Sequence, residues 1–160
     1  MELTARDIMA TEFETLHPEA TIQAAVRRLM RSKARDTGYK PFGIMVVDEV
    51  GRLVGMVSMY DIIYHLRPPF MNYEVETVAV WGEELEAHLN QFKDLKVRQV
   101  MSSQVITVAP EDHFMVVIDR MVKKKCRRMP VVEHDEILGI VYLSDVVHHL
   151  CENWLNELCY

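Results

Sequence analysis

The chain carries the stretch Gly55-Met56-Val57-Ser58-Met59-Tyr60-Asp61, and 84 residues later it carries Gly139-Ile140-Val141-Tyr142-Leu143-Ser144-Asp145. Each stretch opens with a glycine and two apolar residues, which is typical of a short buried strand. Each then ends in a carboxylate at the position of a first helical turn. The two stretches predict an internal repeat, and a repeat of this kind decides the whole fold.

Further anchors surround the two stretches in the same order. The matched segments are 7–9 with 99–101, 17–19 with 109–111, and 45–48 with 130–133. The offset falls from 92 residues at the first two anchors to 85 at the third. This step predicts about seven extra residues in the first copy, in a loop at 33–39.

Each copy has the pattern of strand, helix, strand, strand, helix. The predicted elements of the first copy are a strand over 12–16, a helix capped by Thr21, strands over 43–47 and 53–57, and a helix from Ser58 to Leu66. Those of the second are strands over 105–108, 129–132 and 137–141, a helix over 114–124, and a helix from Leu143. One copy alone is too short for more than a marginal core. The predicted fold class is therefore α+β, with two βαββα repeats packed about a pseudo-two-fold axis into one module.

The prediction divides the chain into repeat 1 over 1–66, a linker over 67–95, repeat 2 over 96–150 and a helical tail over 151–160. In the linker, Trp81, Leu85, Leu89 and Phe92 recur at helical spacing, which predicts an amphipathic helix. This apolar stripe has two open interpretations, since it can cover the module's own core or pack on a partner subunit. The tail repeats the pattern briefly with Trp154, Leu155 and Leu158, and we interpret both segments as assembly elements.

The composition excludes several classes of protein. Apolar residues make up 49% of 160 residues, yet no stretch has the roughly 18 uninterrupted apolar residues of a spanning helix. The N-terminus has no apolar signal region, and the three cysteines lack a CxxC spacing. A net charge of −6 opposes binding of the whole molecule to nucleic acid or to an anionic membrane. We expect a cytoplasmic protein without a disulfide framework, a nucleic-acid partner or a membrane.

Taken together, the repeat and its motif resemble the tandem CBS domains of the Bateman-module family, from Ala5 to Leu150. The family motif is glycine, two apolar residues, Thr or Ser, two variable residues and Asp, preceded by a Pro-Val-Val-like strand. Ser58 and Asp61 match its end in the first copy. The second copy has Pro130-Val131-Val132 and Asp145, but Tyr142 replaces the small hydroxyl residue.

The resemblance implies a regulatory module that binds an adenosyl nucleotide (AMP, ADP, ATP or S-adenosylmethionine) in clefts between the repeats. It also implies a homodimer whose packing transmits ligand occupancy to a regulated partner protein. No catalytic motif stands out in the sequence, so we expect neither an enzyme nor a required cofactor. The alternative, from a different class, is a dimerising scaffold that binds no nucleotide.

Chemistry and resemblance together assign the candidate ligand residues. Hydroxyls and N–H groups at a helix start suit phosphate oxygens, and an aspartate one turn on can accept two ribose hydroxyls. The structural alternative is that Ser58 caps a helix and Asp61 is a first-turn acid. The residues predicted to contact ribose and phosphate are Ser58, Asp61, Arg127, Arg128, Tyr142, Ser144 and Asp145. Those that the resemblance places at the adenine are Ile22, Ile44, Phe114 and Met129.

The two clefts should differ. The resemblance implies that Arg127 and Arg128 face the phosphates at the second copy. The first copy has Phe42 and Gly43 at the corresponding positions.

Two further features of the sequence have other interpretations. The basic run from Lys123 to Arg128 can also be favourable charge at a helix end or a nucleic-acid patch. His148 and Cys151 form a helical i, i+3 pair, but two ligands do not complete a metal site, and we predict none.

Overall fold

A computed structural model describes residues 2–68 and 83–155, with side chains from residue 85 onward in the second range. Trp81, Leu158 and Cys159 therefore lie outside the described residues. In chain order the elements are α1 (Ala5–Ile8), β1 (Thr15–Leu16), α2 (Ile22–Arg31), β2 (Gly43–Val47), β3 (Leu53–Ser58), α3 (Met59–Leu66), α4 (Glu83–Phe92), α5 (Val97–Val100), α6 (Phe114–Lys124), β4 (Arg128–Glu133), β5 (Glu136–Tyr142) and α7 (Leu143–Asn153).

The strands form one small sheet per repeat, and the predicted α+β class is confirmed. β2 and β3 are antiparallel, as are β4 and β5, and each hairpin has its bulge at the equivalent place. β1 is parallel to β2, and its counterpart in the second repeat is a single parallel bridge from Val108 to Val131. The strand predicted over 105–108 is thus a single bridge, while the one predicted over 12–16 is shortened to β1.

Helices α2, α3 and α6 each begin directly after a residue whose side chain caps them. The Thr21 hydroxyl accepts a hydrogen bond from the Ala24 N–H at 3.2 Å and begins α2. α6 spans the predicted residues, and its C-cap is Lys125, which takes a left-handed conformation with φ 52°. α7 continues past residue 150 to Asn153, so the first part of the predicted tail belongs to this helix.

Two short helices are exchanged between the repeats. α1, at the start of the chain, packs Ala5 and Ile8 into the core of the second repeat. α5 lies at the start of the second repeat but packs Val97 and Val100 into the core of the first. The chain after each helix then pairs with the sheet it has joined, through the bridges Ala10 to Ile140 and Met56 to Ser102. Neither core is complete without the first helix of the other copy.

A third apolar cluster joins the two sheets. It contains Met45 and Met56 from the first sheet and Ile140 and Tyr142 from the second, all at most 7% exposed. In the linker helix α4, Phe92 is buried in the core of the first repeat, whereas Leu85 and Leu89 are each 41% exposed. One end of the stripe therefore covers the module itself and the rest is open. Among the described helices, none is both long enough and apolar enough to cross a membrane.

Candidate functional site

A cleft of about 920 Å³ opens between the repeats, where both copies of the motif meet. The junction of β3 with α3 contributes Ser58 and Asp61, and the junction of β5 with α7 contributes Tyr142 and Ser144. The segments just before β2 and β4 complete the walls. The register shows that the walls are equivalent, because Gly43 pairs with Ser58 in one sheet as Arg128 pairs with Tyr142 in the other. The cleft thus lies between two equivalent walls, one from each repeat.

On the first side, Ser58 and Asp61 are joined in a capping box at the start of α3. The Ser58 backbone N–H and hydroxyl both donate to Asp61 Oδ2, at 2.8 and 2.9 Å, and the Asp61 N–H donates to Ser58 Oγ at 3.2 Å. The structural role considered for this pair is therefore present. One carboxylate oxygen, Asp61 Oδ1, has no such contact among these bonds, and Asp61 lies on the cleft wall. The capping box holds the carboxylate in place and leaves it able to accept a further hydrogen bond.

Arg128 crosses the cleft toward the first repeat. A Cβ atom at position 43 would lie 2.8 Å from Arg128 Nε and 2.9 Å from Cζ, so the guanidinium passes directly over Gly43. Burial lowers the pKa of Arg128, while Tyr142 and Asp61 act in the opposite direction. Arg128 Nε is buried without a hydrogen-bond partner among the described residues. The absence of a side chain at Gly43 is what gives this cation its place beside Ser58 and Asp61.

The cleft is strongly cationic in a chain whose net charge is negative. The charged residues that line it are Lys40, Lys124, Lys125, Arg127, Arg128 and Asp61. Within the described part of the chain, none of these five cations forms an ion pair. Unpaired cations around a concave surface raise the local concentration of anions. The arrangement therefore favours an anionic ligand.

On the second side, Asp145 is bound and covered by Arg35 and Thr37 of the first repeat. Arg35 donates to it twice, from Nε to Oδ2 at 2.7 Å and from Nη2 to Oδ1 at 3.0 Å, and Thr37 Oγ1 donates to Oδ1 at 2.6 Å. The Arg35 and Asp145 side chains are only 12% and 9% exposed. Asp145 is not among the residues that line the cleft, although its neighbour Ser144 is. Sequence reasoning missed Arg35 and Thr37; the signal that pointed to them was the predicted insertion at 33–39, which contains both.

The guanidinium of Arg35 also stacks on the ring of Tyr142. Arg35 Cζ lies 3.6 Å from the centroid of the Tyr142 ring, and Arg35 Nη2 also donates to Ser144 Oγ at 3.1 Å. Burial raises the pKa of Tyr142, against the opposing effect of Arg35 and Arg128, so the phenol stays neutral near neutral pH. The residue that departs from the family motif is thus engaged by a side chain of the other repeat.

The structure places the four predicted adenine residues inside the two cores. Ile22 and Ile44 belong to the first core, and Phe114 and Met129 belong to the second, all at 4% exposure or less. None of them is among the residues that line the cleft. Apolar residues at these positions are required by the cores in any case. Contact between them and an adenine stays a prediction.

The other candidate features have local roles. Lys123 pairs with Asp119 on its own helix at 2.9 Å, and Arg127 and Arg128 line the cleft. His148 pairs with Glu152 at 3.0 Å. Across residues 2–68 and 83–155, no group of three or more His, Cys, Asp or Glu side chains is placed to hold a metal ion.

Comparison with known proteins identifies both repeats. The CBS domain family model matches residues 5–68 and 97–152. The chain is 27% identical over 106 residues to the 5'-AMP-activated protein kinase subunit gamma-3 of Sus scrofa, an alignment that covers 66% of this chain and 18% of that protein. It spans less than a third of the length of this relative and of a second curated one.

Solved structures share the fold. The CBS domain of a CBS domain containing membrane protein from Sphaerobacter thermophilus is similar with a TM-score of 0.68 and 27% identity, over 91% of this chain and 86% of that one. CBSX2 in complex with AMP is similar with a TM-score of 0.67 and 22% identity, over 93% of this chain and 96% of that one. The second similarity concerns the fold alone.

Proposed function

The chain belongs to the CBS domain family, and on that premise we propose that it is a regulatory module that binds an adenine nucleotide in the cleft between its repeats. The observation that carries the proposal is the juxtaposition of Arg128 from one repeat with Ser58 and Asp61 from the other. A guanidinium can hold phosphate through two parallel hydrogen bonds, and Asp61 can accept from ribose hydroxyls. The same contacts require no catalytic step, and we assign no catalytic residue.

The charge of the cleft selects among the adenosyl ligands. Five cations and one carboxylate line it, and S-adenosylmethionine carries a net positive charge, whereas AMP, ADP and ATP are anions. Each phosphate added to the ligand can meet a further cation, because charge-assisted hydrogen bonds are the strong ones. We propose that affinity rises from AMP to ATP and that S-adenosylmethionine binds weakly.

A thermal-shift panel of AMP, ADP, ATP and S-adenosylmethionine tests this function. At a hundredfold excess over its dissociation constant a ligand stabilises the folded state by about 2.7 kcal/mol. For a chain of this size that corresponds to about 5 to 10 °C in the melting temperature. We expect such a shift with ATP and little with S-adenosylmethionine. No shift with any of the four, for folded protein free of carried-over ligand, would favour the scaffold alternative.

Arg128→Ala tests whether the ligand that raises the melting temperature binds in the cleft. Loss of a hydrogen-bonded cation should weaken ATP binding about 10- to 100-fold, since hydrogen bonds to charged groups contribute about 1.5–3 kcal/mol. Arg31→Ala is the matched control, because Arg31 is an exposed arginine at the end of α2 and does not line the cleft. Equal affinities of the two variants would place the ligand elsewhere.

We also propose that the module acts as a homodimer and reports occupancy through its subunit contact to a regulated protein. Equivalent apolar side chains, Ile63 on α3 and Val147 on α7, are 61% and 51% exposed. Val147 and Tyr60 also line the cleft, so a ligand and a second subunit would share one surface. Related patches on the two repeats suit a symmetric interface with another copy of this chain.

Light scattering during size-exclusion chromatography tests the dimer. We expect twice the mass of one chain for the native protein and the mass of one chain for Ile63→Asp, which puts a charge into the proposed contact. Val50→Asp is the control, since Val50 is 73% exposed in the turn between β2 and β3. A native protein with the mass of one chain at micromolar concentration would contradict the proposal.

A further inference from the structure

We infer that Arg35 occupies the nucleotide position of the second repeat as an internal ligand, so that the module has one open nucleotide site and one that is closed by its own chain. The inference rests on the proposed function and deepens it. Asp145 is the counterpart of Asp61 in the repeated motif.

The carboxylate of Asp145 has too little hydrogen-bonding capacity left to accept both hydroxyls of a ribose. Its two oxygens accept three hydrogen bonds, two from Arg35 and one from Thr37, and the residue is 8% exposed. A carboxylate has about four lone-pair sites. Two vicinal hydroxyls therefore cannot both bind it unless the guanidinium leaves.

The guanidinium also covers the ring next to the carboxylate. Arg35 stacks on Tyr142 at 3.6 Å and donates to Ser144 as well as to Asp145, so it contacts all three polar side chains of the second motif. A cation over an aromatic face is attracted by the ring quadrupole. Tyr142, which stands where the family motif has a small hydroxyl residue, thus provides a stacking surface for an arginine.

The segment that carries Arg35 is built for this position. The Arg35 N–H donates to the Tyr39 carbonyl and the Gly38 N–H donates to the Arg35 carbonyl, both at 2.8 Å. Gly38 has φ 92°, a conformation that glycine adopts without strain. The turn therefore fixes the backbone on both sides of Thr37, so the loop that carries Arg35 is ordered.

The first site has no such internal ligand, because the equivalent loop in the second repeat is too short. Residues 32–42 connect α2 to β2, whereas residues 125–127 alone connect α6 to β4. The extra residues of the first copy reach across to the second motif, and the second copy has none to reach back. This difference converts two similar repeats into one open and one closed site.

Isothermal titration with ATP measures the number of sites. We expect one ATP per chain for the native protein, and two for Arg35→Ala, which frees Asp145 and Tyr142. The double variant Arg35→Ala/Asp145→Asn should return to one, which would assign the new site to Asp145. Lys33→Ala is the matched control and should bind one, since Lys33 is an exposed cation of the same loop.

Arg35→Lys is the second variant, because Arg35→Ala removes a buried ion pair. Lysine keeps a positive charge but lacks the planar fork, so a second ATP should bind at least tenfold more weakly than in Arg35→Ala. Two ATP molecules on the native protein would overturn the inference, and so would one ATP on folded Arg35→Ala or, if that variant does not fold, no second ATP on Arg35→Lys. No ATP on any of the variants would instead overturn the proposed function.

Discussion

Replacement of Arg35 by methionine should lower the free energy of unfolding by about 3–5 kcal/mol, which is the cost of leaving one partner of a buried ion pair unpaired. Methionine keeps an apolar stem and removes the charge, the hydrogen bonds and the stacking of the guanidinium on Tyr142. Asp145, which is 8% exposed in the native protein, would then lack its cation. Urea unfolding followed by circular dichroism measures the loss.

The double variant Arg35→Met/Asp145→Leu separates the ion pair from the loop. Replacement of both members of a buried pair by apolar residues is often neutral or stabilising, so the double variant should regain most of the stability that Arg35→Met loses. The strong non-additivity would measure the coupling between a loop of the first repeat and a helix of the second.

Arg98→Met provides the comparison with an exposed pair. Arg98 and Glu19 lie 2.9 Å apart, but their side chains are 53% and 55% exposed. Exposed pairs contribute about 0–1 kcal/mol. A loss in Arg35→Met no larger than that in Arg98→Met would show that the Arg35 contact is dispensable for stability.

The fold could be predicted because its determinants are local and repeated. Thr21 caps α2, and apolar residues at helical spacing form the buried faces of α2 and α6. Each hairpin has a recognisable turn between its two strands. The repeat then supplied the global arrangement, since a single copy lacks a sufficient core. The exchange of α1 and α5 was not predicted, because four-residue helices carry no signal that says which core they will join.

The candidate site was predicted only in part. Ser58, Asp61, Arg127, Arg128, Tyr142 and Ser144 all line one cleft, whereas motif spacing and resemblance divided them between two clefts. The resemblance assigned Arg128 to the second copy, but its guanidinium lies over Gly43 of the first. The partner of Asp145 was beyond reach, because Arg35 lies 110 residues earlier in the chain. The offset between the copies gave the length of its loop but not its direction. Long-range pairing of charged side chains leaves no periodic trace in a single sequence.

The exchange of α1 leads to the second large expected effect, at Gly139 in β5. A Cβ atom there would lie 2.6 Å from the Ala10 carbonyl oxygen and 2.7 Å from Met9 Sδ. The backbone oxygen cannot swing aside, because Ala10 and Ile140 exchange two hydrogen bonds at 2.8 and 3.0 Å. Glycine is required here by the close approach of the segment after α1.

Gly139→Ala should therefore destabilise the protein by about 3 kcal/mol, from overpacking of about 1–3 kcal/mol and the weakening of two backbone hydrogen bonds that contribute about 1 kcal/mol each. Urea unfolding gives the magnitude, and faster hydrogen exchange at the Ala10 and Ile140 amides would locate it. Gly43→Ala is the control, since the three atoms nearest its Cβ would all belong to the flexible side chain of Arg128 and not to the backbone. That variant should lose less stability but bind ATP more weakly, because the displaced cation belongs to the cleft. Equal destabilisation by the two substitutions would contradict the role assigned to the α1 exchange.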